Sequence, residues 1–197
     1  MILASITWTP KYISSQICAI VAAIFVAASF FAKNKKIVLI SVTFGSFFYA
    51  VHYLLLGAYA GAIIDVLSSL RCIWFYFNTK AGKKFDYVSL TVCSAAFIAG
   101  GILTYKSWPD ILTILAAINT TIATWQPSIC YYRWACIVGS FFWITYSMLC
   151  HSIFGFVQEV LLLVLEIISI IIYYVDKHKQ TQNTLQQDTP SNQTIPQ

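Results

Sequence analysis

The sequence predicts an all-α integral membrane protein: seven transmembrane helices in a 3+1+3 order, two parallel triple-helix repeats around one linker helix. Three observations predict it. Apolar residues make up 59% of the 197 residues and charged residues 10%, against about 45–50% and about 25% in soluble domains. Apolar runs long enough for a bilayer core of about 30 Å, which needs about 20 helical residues, recur along the chain. The sequence also matches itself when it is slid by 94 residues.

The elements follow in order. The first apolar run spans about Tyr12 to Ala32 and stops at Lys33-Asn34-Lys35-Lys36. It is too long for a cleavable signal peptide and ends in a basic cluster. The second spans about Ile37 to Leu56, and the third about Tyr59 to Phe77. The fourth, the linker, spans about Tyr87 to Tyr105. The fifth opens at Pro109-Asp110 and ends near Trp125. Proline suits a first helical position, and an acid there meets the positive end of the helix dipole. The sixth spans about Tyr131 to Cys150 and the seventh about Phe154 to Val175. Trp8, Trp108 and Trp125 lie near these boundaries, as interfacial aromatics do. A transmembrane domain therefore fills residues 1–176, with repeat one over about 12–78, the linker over about 87–105 and repeat two over about 109–175. Residues 177–197 turn to Gln, Asn, Thr, Ser and Pro, a composition expected to be disordered.

At the 94-residue offset, Gly45-Ser46-Phe47-Phe48 falls on Gly139-Ser140-Phe141-Phe142, Ala22-Ala23-Ile24 on Ala116-Ala117-Ile118, and Gly61 on Gly155. Asp65 falls on Glu159, an acid on an acid. Two three-helix units in direct succession would insert upside down to each other, and a fourth helix between them restores the second to the orientation of the first. Charge then sets which way up. With the N-terminus outside (periplasmic), Lys33, Lys35, Lys36, Lys80, Lys83, Lys84, Arg133, Lys177 and Lys179 fall inside, against Lys11 and Lys106 outside. The C-terminal tail is then cytoplasmic.

Several residues carry a resemblance to a known family. They are His52-Tyr53-Leu54-Leu55-Leu56-Gly57-Ala58-Tyr59 with Ala60-Gly61, Arg71, Trp108-Pro109 with Ile111-Leu112, and Ile153-Phe154-Gly155 with Glu159. In these the chain resembles the YgjV-type bacterial inner-membrane proteins, over roughly residues 12–176. More distantly it is similar to the SWEET and PQ-loop (MtN3-like) transporters, which share the 3+1+3 order. The resemblance implies a multi-pass location in the bacterial inner (cytoplasmic) membrane. It departs from the transporters in two places. Their Pro-Gln is reversed here as Gln126-Pro127 and replaced by Ala32-Lys33 in the first half. Glu166 stands where relatives tend to have Asn, so a sugar-binding role does not carry over.

An ionisable residue inside a membrane is a candidate functional group. Asp65 and Glu159 lie at matched depth on the third and seventh helices, and Glu166 shares a face with Glu159. Asp65, Ser69 and Cys72 share a face, as spacings of four and three dictate. Arg71 could neutralise Glu166, because position 72 is the repeat partner of 166. His52 and Tyr146 are repeat equivalents. Asn119, with Thr120 and Thr121, could line the same space or bond back to helix carbonyls. The proposed substrate or proton pathway is thus Asp65, Ser69, Arg71, Asn119, Glu159, Glu166, His52 and Tyr146. Against it stands a structural reading in which the acids reach water at helix ends and the charges only fix packing. Gly45 and Gly139 suit close helix approach, and Gly57 suits a turn.

Six cysteines form no C-x-x-C pair and behave as small hydrophobes. No disulfide framework, metal or cofactor is expected, nor nucleic acid as a partner, since the basic residues are scattered between apolar runs. There is no nucleophile elbow, H-E-x-x-H or phosphate loop, so no enzyme is expected. Partners are the lipid bilayer and a small polar solute, with a homo-oligomer left open. The sequence supports a small-solute transporter working by alternating access, or a non-transporting inner-membrane protein with a structural polar core.

Overall fold

A computed structural model of the chain describes residues 10–57, 59–83, 86–105, 107–149 and 153–187. Trp8, Lys84, Lys106, Cys150 and residues 188–197 lie outside the described residues, so the expectations placed on them do too. Every regular element among the described residues is a helix: α1 (Pro10–Phe31), α2 (Lys35–Leu56), α3 (Tyr59–Lys80), α4 (Tyr87–Thr104), α5 (Asp110–Trp125), α6 (Ile129–Leu149) and α7 (Ile153–Gln187). Four are long and apolar enough to cross a membrane: α1, α2, α4 and the stretch Phe156–Gln182 of α7. Helix α5 is apolar but has 16 residues, about 24 Å of rise. Helices α3 and α6 are as long as α2 but diluted by polar side chains, Asp65, Ser69 and Arg71 in one and Arg133 in the other.

Helix ends follow local chemistry. Asn34 accepts a bond from Lys36 N and caps α2, so the break after α1 is short and Lys35 and Lys36 are helical. Gly57 closes α2 at φ 77°, donating to Leu54 O and Tyr53 O, a left-handed turn that glycine adopts without steric cost. Asp86 caps α4 through Val88 N and Ser89 N. Asp110 opens α5 behind Pro109 and accepts from Ser107 N at 2.9 Å. Helix α7 continues to Gln187. Residues 177–187, expected to be disordered, are therefore helical: once the apolar stretch has started the helix, Lys and Gln are good helix formers that extend it.

Each helix packs on its neighbours in sequence, and packing of α1 on α7 and of α3 on α5 helps join the halves. The distribution of side chains is inverted relative to a soluble protein. On α1, Ile13, Ile17, Ile20 and Ile24 face outward while Ser15, Ala19, Ala22 and Ser29 are buried. On α7, Val157, Leu161, Val164, Ile168, Ile171 and Val175 form an exposed stripe, while Glu166 and Ser169 are buried. Leu103 on α4 is 86% exposed. Large aliphatic side chains outside and small or polar ones between helices is the arrangement that lipid as solvent favours. Gly45 illustrates the close packing: a Cβ there would stand 2.7 Å from Val26 Cγ2 and 3.3 Å from Ala22 O on α1.

Candidate functional site

Polar side chains gather in two groups along the helices. The first lies toward the α2–α3 and α6–α7 turns. Tyr49 on α2 accepts a hydrogen bond from Gln158 Nε2 on α7 at 2.5 Å, a link between the halves. Asp65 on α3 and Glu159 on α7 both fall within electrostatic reach of Tyr49 and Tyr53. The acids stand on α3 and α7, the two phenols on α2. Both acids are half-buried, and neither forms an ion pair within 4.0 Å among the described residues. His52 stands beside Tyr53 with ring centroids 5.0 Å apart, but its Nδ1 is bonded to Ser15 O at 2.8 Å. That bond ties α2 to α1, the packing role. Tyr146 stacks edge-on against Trp143 at 5.9 Å.

The second group lies deeper and toward the opposite end. Glu166 is 3% exposed, and both its oxygens accept from the Ser140 hydroxyl, at 3.1 and 3.0 Å. Arg71 is 4% exposed and donates to Thr121 Oγ1 at 2.8 Å, more weakly to Thr120 Oγ1 and Ala117 O, and lies over the Phe97 ring at 5.1 Å. Its Nε has no partner. Arg71 and Glu166 do not form the expected ion pair. The residue 94 positions before Glu166 is Cys72, and one residue further back along a helix turns the side chain by about 100°. Arg71 is thereby directed to α4 and α5 instead of α7.

Two expected pathway residues are engaged in packing. Ser69 donates to Thr43 O at 3.0 Å, and Asn119 donates to Ala135 O at 2.6 Å. Thr120 and Thr121 bond back to Ala116 O and Ala117 O, the helix-internal alternative.

The lysine-bearing end holds cations that sequence reasoning placed only as topology markers. Lys35 is 9% exposed and donates to Ala123 O at 3.1 Å. Its burial was readable in principle: Asn34 signals a helix start, and Lys35 then shares a face with Val38, Leu39 and Val42, all in the core or packed against it. Arg133 is equally buried and donates to Ser169 O and Ala32 O, joining α6 to α7 and to the end of α1. Tyr132 bonds Ser29 at 2.8 Å, and Lys33 pairs with Asp176 at 2.8 Å on the surface. No group of three or more potential metal ligands occurs among the described residues.

Residues 13–177 match the model of the Imp-YgjV family, described as bacterial inner membrane protein. The chain belongs to that family. The match covers α1 through the lipid-facing part of α7, so both polar groups of this Imp-YgjV protein lie within the family's own extent. No curated protein and no solved structure matches the chain. The inner-membrane location agrees with the exposed aliphatic stripes of α1 and α7.

Proposed function

We propose that this Imp-YgjV protein is a transporter or facilitator for a small polar solute, working by alternating access between two three-helix bundles, α1–α3 and α5–α7, with α4 as linker. The observation that carries the reading is the half-burial of Asp65 and Glu159, acids 94 positions apart on α3 and α7, beside the Tyr49–Gln158 link between the halves. Two half-buried acids within apolar helices are candidate functional groups, because an ionisable side chain in lipid is costly unless it is used. The repeat itself draws support from packing. The contacts α1 on α7 and α3 on α5 exchange with each other when the halves are swapped. Gly45 abuts Val26 on α1, and Gly139 abuts Asn119 and Thr120 on α5, and position 120 is position 26 plus 94. The N-terminus stands outside and the lysine end faces the cytoplasm, by the positive-inside bias.

The test is flux into proteoliposomes over a panel of polar metabolites. Saturable uptake of at least one solute that Asp65→Asn and Glu166→Gln each abolish supports the reading. Absence of flux for every solute argues for a second reading, a non-transporting membrane protein. The observation favouring that alternative is how completely the halves are tied at the lysine end, by Ser29 with Tyr132, Lys33 with Asp176 and Arg133 with Ala32 O.

A further inference from the structure

At the lysine end, a cavity of about 260 Å³ opens where the start of α2, the end of α3, the start of α4 and the end of α5 meet. Its lining includes Lys35, Phe75, Asn78, Lys83, Asp86 and Trp125. The neutral donors there are already engaged within the protein. Asn78 Nδ2 donates to Asp86 Oδ2 at 2.8 Å, and the Trp125 indole donates to Asp86 O at 2.9 Å. The Asp86 carboxylate is taken up by that amide and by the backbone N–H groups it caps. Lys35 differs. An ammonium has three donors, and its one hydrogen bond goes to Ala123 O. The Tyr132 ring lies 5.7 Å away, and no carboxylate among the described residues comes within 4.0 Å. A nine-tenths-buried cation without a counter-charge is costly, and this one lines a cavity large enough for a small molecule.

We propose that this cavity binds a small organic carboxylate, with Lys35 as its counter-charge, Lys83 drawing the anion in at the exposed rim, and Phe75 and Trp125 covering its apolar part. Two features fix the class. The unused hydrogen-bond donors in the lining are cationic, on Lys35 and at the rim on Lys83, which favours an anion over a neutral solute or a cation. The aromatic walls favour a carbon body over a bare inorganic ion. The proposal is separate from the transport reading, because binding at equilibrium requires no flux.

The full-length protein in nanodiscs of phosphatidylcholine is dialysed to equilibrium against benzoate, and in parallel against benzamide, its neutral isostere. Saturable benzoate binding is expected, with benzamide weaker by at least about tenfold. Lys35→Gln should weaken benzoate to the same degree, while Lys35→Arg, which keeps the charge, should stay within about threefold. Equal binding of benzoate and benzamide would overturn the proposal, as would unchanged benzoate affinity in a Lys35→Gln protein that melts like the parent. Should Lys35→Gln fail to fold, the benzoate–benzamide comparison in the parent still decides. Displacement of benzoate by phosphatidylglycerol in the nanodisc would assign the cavity to a lipid headgroup and overturn the carboxylate reading.

Discussion

At the scale of single residues, the interior of this bundle separates side chains that hold helices together from side chains whose chemistry the packing leaves unused. Gly45 belongs to the first kind. An added methyl would stand 2.7 Å from Val26 Cγ2, so Gly45→Ala is expected to destabilise by about 1–3 kcal/mol through overpacking. Gly139 has its nearest neighbour at 3.3 Å, an amide nitrogen of Asn119, and Gly139→Ala should cost less than about 1 kcal/mol. Thermal unfolding of both variants in one detergent checks the order, and a reversed order would contradict the packing described. Arg71 is bonded to Thr121 but has no counter-charge among the described residues, so part of its chemistry is left unused. Its guanidinium is buried with an unpartnered Nε and no carboxylate. An apolar residue of similar volume in place of a buried charge is often neutral or stabilising. Arg71→Met is therefore expected to keep thermal stability within about 1 kcal/mol while removing solute flux. A large loss of stability with flux retained would make the arginine a packing residue.

At the scale of elements, seven helices were legible from apolar run length, and their ends were legible wherever a cap residue stood. Asp110 behind Pro109 and Gly57 at its turn fall where their chemistry places them. The start of α2 was read two residues late, because a lysine cluster looks like a loop even when Asn34 has already capped a helix. The end of α7 was read early because hydropathy reports lipid, and a helix can leave the lipid without ending. The site was legible in part for the same reason. Asp65 and Glu159 stand out since acids are rare in apolar runs, and the 94-residue offset pairs them in sequence. Whether Arg71 meets Glu166 depends on a rotation of one residue about the helix axis, which run lengths do not encode. Partner carbonyls such as Ser15 O for His52 and Ala135 O for Asn119 come from other helices and carry no sequence signal. The extension of α7 beyond Asp176 has no apolar stripe to pack. Deletion of residues 181–197 is accordingly expected to leave the melting temperature of the bundle unchanged, and a clear drop would show that the extension docks on it. The Lys33–Asp176 pair beside it is exposed on both sides, so Lys33→Ala should change stability by less than about 1 kcal/mol in the same melting experiment.

At the scale of the whole molecule, topology decides whether the two halves can act as equivalent bundles. Consecutive antiparallel helices alternate direction, so the α1–α2, α3–α4 and α5–α6 connections share one end. Contacts within the structure agree: Lys35 reaches Ala123 O, Arg133 reaches Ala32 O, and Lys33 reaches Asp176, all joining segments near that end. The α2–α3 and α4–α5 connections share the other end. An odd number of helices per half then gives parallel halves only because α4 intervenes. Single cysteines placed at Lys33, Lys83 and Lys177 in a cysteine-free background should therefore react with a membrane-impermeant maleimide only after the cytoplasmic face is opened. Cysteines at Gly57 and at Ser107 should react in intact cells. Lys33 and Lys83 on the same face, with Gly57 opposite, require two crossings between them, α2 and α3, whatever the hydropathy of α3. Agreement of Lys177 with them requires an even number of further crossings from α4 through α7, as four full spans provide. If Lys33 and Lys83 labelled from opposite faces, α2 and α3 could not both span the bilayer. The two acids could then not lie at one depth, and the pathway built on them would be lost with the repeat.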